Sequence, residues 1–103
     1  MYIVRDIMYC KPGKVRALVD KFKALSKLGE KTGMPAMRIM TDVSAERYWT
    51  VVSEMEAPTL QAFEDMMSMA QGSAEDSKAI EEIMKGYHDL VDQGKREIYR
   101  LET

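Results

Sequence analysis

Tyr2-Ile3-Val4-Arg5-Asp6-Ile7-Met8-Tyr9-Cys10 runs directly into Lys11-Pro12-Gly13-Lys14, and this opening decides the fold. Its first nine residues are rich in β-branched and aromatic side chains and predict a strand. Pro12-Gly13 is a turn pair that ends it. Successive strand residues face opposite ways, so Tyr2, Val4, Met8 and Cys10 share one face and Ile3, Ile7 and Tyr9 the other. A strand with one wet face would alternate apolar with polar. This strand is therefore expected to be covered on both sides.

Working outward, Val15, Leu18, Val19, Phe22, Leu25 and Leu28 recur at three- and four-residue spacing from about Lys14, the stripe of an amphipathic helix. Gly29 or Gly33 ends it, and Met34-Pro35 forbids continuation. Ala36 to Val43 and Arg47 to Met55 read as two strands joined by Ser44-Ala45-Glu46, with Trp49, Val51, Ser53 and Met55 on one face of the second. Pro58 suits the first turn of a helix, whose stripe is Leu60, Phe63, Met66 and Met67. Gly72-Ser73 is expected to break it, with Ser73 and Asp76 as a capping pair. A second segment carries Ile80, Ile83, Met84, Tyr87, Leu90 and Val91, with Gly94 as its cap, and Lys95 to Glu102 forms a last strand. Strand, helix, strand, strand, long helix, strand is an α+β order: one open antiparallel sheet with its helices on the same face.

At 103 residues the chain is expected to be one domain over 1–103. The formal charge is −2 with acids and bases interspersed, so no basic stripe invites nucleic acid. No apolar run approaches the ~20 residues that span a bilayer, and Arg5 and Asp6 interrupt the first apolar stretch where a signal peptide would be uniform. Cys10 has no second cysteine to pair with, and a reducing cytoplasm is the expected location.

No catalytic motif of high specificity is present. One Cys and one His cannot build a zinc site of the usual ligands, and Cys10 reads as a packed thiol rather than a nucleophile paired with His88. His88, at the margin of the apolar stripe, is either a packed or solvated helix-edge residue or an acid, base or ligand at a pocket mouth. Trp49 is either core or interface, or a pocket wall. The ten methionines read first as flexible core filling and second as the lining of an adaptable pocket. Arg5, Asp6, Arg38 and Thr50 are polar groups in apolar strands that must be paired, solvated or turned into a cavity.

Lys11-Pro12-Gly13-Lys14 at the end of the first strand, the amphipathic helix after it, and the strand into Pro58-Thr59-Leu60-Gln61-Ala62-Phe63 together resemble the dimeric α+β barrel superfamily. That group includes antibiotic-biosynthesis-type monooxygenases, haem-degrading monooxygenases and NIPSNAP-like proteins. The resemblance implies a ferredoxin-like βαββαβ subunit, a homodimer closed sheet to sheet, and a cleft between each sheet and its own helices. It implies binding or modification of a small hydrophobic molecule there; any chemistry would be cofactor-free and monooxygenase-like. The haem-degrading branch looks for an Asn on the first strand, a Trp where the third strand meets the second helix, and a His on that helix. Asp6 falls about where the Asn would be, the chain contains no asparagine, Trp49 lies well before Pro58, and His88 lies too far along. No haem, other cofactor or metal is therefore expected. Asp6, Trp49 and His88 remain the pocket-lining candidates, and a carboxylate and imidazole brought together could pass a proton. The rival reading is a non-enzymatic dimerisation or interaction protein whose interior is filled by Met and Leu.

Overall fold

In the computed structural model, which describes residues 1–70 and 74–103, β1 spans Tyr2–Cys10. Gly13, at φ +79°, turns the chain into α1, Val15–Lys31. There follow β2 (Arg38–Thr41), β3 (Thr50–Ala57), α2 (Leu60–Ala70), α3 (Ala74–Met84), a 3₁₀ turn (Tyr87–Asp89) and β4 (Val91–Arg100). The four strands form one antiparallel sheet in the order β2-β3-β1-β4. This is the ferredoxin-like α+β arrangement, with β1 hydrogen-bonded along both edges, to β3 and β4.

The helices cover one face. Leu18, Val19 and Phe22 of α1 pack on Cys10 and Val51, and Phe63 of α2 packs on Val4 and Ala57. Leu18 and Val51 are completely buried, each contributing roughly 1.5–3 kcal/mol relative to exposure. The opposite face carries Ile3, Arg5, Ile7 and Tyr9 of β1. Tyr9 is only 7% exposed there, because the Arg47 guanidinium lies 4.2 Å from its ring centre. Among the described residues, no helix is long and apolar enough to cross a membrane.

Three expectations need correction. The connection between β2 and β3 is longer than Ser44-Ala45-Glu46, because Trp49 has φ +61° and cannot continue an extended strand; it does not share a strand face with Val51. Asp42 accepts a hydrogen bond from the Thr50 amide, and the Thr50 hydroxyl donates to the Arg47 carbonyl, so β3 starts only at Thr50. The last helix stops at Met84 because Gly86, at φ +80°, turns the chain left-handed. Tyr87 and Leu90 still reach the core, now from the 3₁₀ turn, whose spacing of three mimics a helical stripe. Gly94 is therefore no cap. It lies within β4 opposite Met8, and a Cβ there would fall 2.6 Å from the Met8 sulfur. The expected break and capping pair at Gly72-Ser73 lie outside the described residues.

Candidate functional site

Between the helices and the sheet lies a cleft of about 550 Å³. Its floor is built by Asp6 and Met8 of β1, Ser53 and Met55 of β3, and Arg96 of β4. Phe22 and Leu25 come from α1, Phe63 and Met67 from α2, Glu81 and Met84 from α3, and Tyr87 and His88 from the 3₁₀ turn. Met37, just before β2, completes the wall. Five of the ten methionines therefore face one space, a pattern visible only once the elements are folded together.

Register makes the floor. Asp6 stands opposite Ser53 on one side and Arg96 on the other, so the three share the helix face as a polar strip across apolar strands. Arg96 donates to both carboxylate oxygens of Asp6, Nε at 2.6 Å and Nη2 at 3.2 Å, the forked geometry that makes Arg–carboxylate pairs strong. Those hydrogen bonds raise the Arg96 pKa, with partial burial opposing. The guanidinium also lies 5.2 Å from the centre of the Phe63 ring. Ser53 is only 6% exposed, and its hydroxyl makes no protein hydrogen bond among the described residues but is open to the cleft, since no buried side-chain oxygen or nitrogen there lacks a partner.

Asp6 and His88 thus border the same cleft. Among the described residues the Asp6 carboxylate is held by Arg96 and makes no ion pair with His88. His88 is exposed at the mouth, its ring 4.4 Å from that of Tyr87. Trp49 lies elsewhere, in a groove with Val15, Thr41, Asp42 and Tyr48. Ser53 and Arg96 carried no local signal; only the strand register reveals them. Cys10 is buried, and burial, followed by the charges of Asp92 and Asp42, raises its pKa, which suits packing rather than attack. Among the described residues, no group of three His, Cys, Asp or Glu comes together as metal ligands would.

A second, smaller cavity of about 260 Å³ shares Leu25, Met37, Met55 and Met67 with the cleft. It runs on past Leu28 and Gly29 of α1, Met34, and Ile80 of α3. On the other face of the sheet, Glu54 accepts hydrogen bonds from Arg5 and Arg38, which tie β1, β3 and β2 together.

In structure, the chain is similar to a NIPSNAP domain protein from Burkholderia xenovorans (TM-score 0.74, 13% identity, 98% of this chain and 94% of that one). It is similar as well to a NIPSNAP family protein of unknown function from Agrobacterium tumefaciens (TM-score 0.77, 10% identity, 98% and 87%). A third neighbour is an antibiotic biosynthesis monooxygenase-like protein from Nitrosomonas europaea (TM-score 0.68, 14% identity, 100% of both chains). The chain shares the ferredoxin-like α+β fold of these neighbours. The likeness covers nearly the whole chain, and at these identities it is a likeness of fold. No protein-family model matches the sequence, and no curated protein matches it.

Proposed function

We propose that the chain binds a small, mainly apolar molecule in the cleft between the sheet and its helices, and that two copies pair through their open sheet faces. One observation carries the first part: the interior is not filled. A space of about 550 Å³ remains, within the ~300–1,000 Å³ of ligand pockets, and its walls are apolar apart from one polar strip and a polar mouth. Methionine thioethers adapt to varied shapes and pack well on aromatic rings. Asp6 and Arg96 orient a polar group on the floor, and His88 stands at the entrance; Trp49 has no part in this site. A protein that only dimerised would gain more from a packed interior than from a space of this size, whose unmade contacts cost stability.

Pairing is supported by the open face. Ile3, Ile7, Met40, Val52 and Tyr99 alternate there with charged residues, and Met40 and Tyr99 are exposed. Titration with N-phenyl-1-naphthylamine, a neutral probe that fluoresces in apolar surroundings, tests the binding reading. The expected result is saturable enhancement at one probe per chain, lost in a folded Met67→Trp variant that fills the cleft. No saturable binding, or unchanged binding in Met67→Trp, overturns it.

A further inference from the structure

Two features of the cleft narrow the ligand class, and the inference rests on the binding reading above. The first is Ser53, 6% exposed at the cleft floor; among the described residues no buried side-chain oxygen or nitrogen lacks a partner, so its hydroxyl, which makes no protein hydrogen bond there, is open to the cleft. A bound molecule that covered this hydroxyl without accepting its hydrogen bond would bury it unsatisfied, which is costly, so a ligand oxygen is favoured there over a purely apolar group. Arg96, whose side chain is 48% exposed, offers further donors. Its Nε and Nη2 serve Asp6, and the two N–H groups of Nη1 have no acceptor among the described residues. Ser53 and Arg96 flank Asp6 in register, so one bound oxygen group above Asp6 can accept from both.

The second feature is a cavity that adjoins the cleft. The 260 Å³ cavity shares Met37, Met55 and Met67 with it and is lined beyond them by Leu28 of α1 and by Asp76 and Ile80 of α3. A polar floor at one end and a small, mainly apolar branch at the other suit a molecule with a head and a flexible tail. A rigid ring system that fills the wider cleft cannot bend into the branch; an alkyl chain can.

We infer that the site takes a straight-chain amphiphile, with an oxygen head group over Ser53 and Arg96 and an alkyl tail lying along the methionines into the branch between α1 and α3. Carboxylate and hydroxyl heads share the acceptor chemistry required, and the test separates them.

The test is displacement of N-phenyl-1-naphthylamine by straight-chain carboxylates and the matching alcohols of six, eight, ten and twelve carbons, each below its micelle concentration. Each added methylene buries about 0.8 kcal/mol of apolar transfer energy, so affinity should rise about fourfold per carbon until the branch is full. Whichever head binds more tightly at equal length names the preferred head. Ser53→Ala should weaken that series about fivefold at every length, the scale of one hydrogen bond. Ile80→Trp, which closes only the branch, should leave short chains unaffected and stop the gain at fewer carbons. Affinity independent of chain length, 2-naphthoate matching decanoate, or unchanged affinities in both variants overturns the inference. Saturable probe binding alongside such a result would leave the cleft as a site for another ligand class; no probe binding at all would remove the cleft reading itself.

Discussion

At Glu54 one carboxylate, 8% exposed, takes hydrogen bonds from arginines on two neighbouring strands. The hydrogen bonds from Arg5, joined by those from Arg38 and by both positive charges, lower its pKa against the opposing effect of burial. A folded pKa below the unfolded one means stability that is fully present above the ordinary carboxylate range and is lost as pH falls through the lowered value. Both arginines are partly solvated, so Glu54→Gln should cost about 1–3 kcal/mol near neutral pH. In urea unfolding the gap between wild type and variant should close as pH falls through that range; a gap constant down to pH 3 contradicts the assignment. Leu18, fully buried under α1, should lose about 2–5 kcal/mol on Leu18→Ala in the same assay. That Arg5 and Asp6 face opposite ways was legible from alternation alone. Their partners were not, because Glu54 and Arg96 lie 49 and 90 residues away and are selected by register.

The elements show where local pattern suffices. β1 and α1 were readable because Pro12-Gly13 and a six-residue apolar stripe agree with each other. At Trp49 and Gly86 the chain takes left-handed turns that periodicity does not reveal. A left-handed conformation costs a non-glycine residue roughly 1–2 kcal/mol, so Trp49→Gly should be about 1 kcal/mol more stable than Trp49→Ala. Equal stability, or the reverse order, in chemical denaturation would show that the backbone there is unstrained. Lys21 of α1 donates to the carbonyls of Ile83 and Lys85 at 3.0 and 2.7 Å, capping the end of α3 where carbonyls lack helical partners. Lys21→Met should speed amide hydrogen exchange across residues 80–90, which carry Met84 and His88 into the cleft, and leave β1 protected. Uniform acceleration through β1 would mean Lys21 supports the whole fold instead.

For the whole molecule, the proposed pairing and the proposed binding use opposite faces of one sheet, so they should be separable. Light scattering at micromolar concentration should give twice the chain mass, with an interface of more than ~1,000 Å² in total. Ile7→Lys, on the open face, should give a folded monomer that still binds the probe; a wild-type monomer would refute the pairing. The topology was legible from the order of periods, whereas the cleft was not, because five methionines from five separate parts of the chain meet only after folding. Those methionines also permit the most direct test of the central claim, the ¹H–¹³C spectrum of methionine methyls titrated with N-phenyl-1-naphthylamine. The account predicts shifts at Met8, Met37, Met55, Met67 and Met84, which line the cleft, with Met1 and Met40, both exposed away from it, unmoved. Shifts centred on Met40 with the cleft methyls unchanged would place the ligand on the open face and contradict the account.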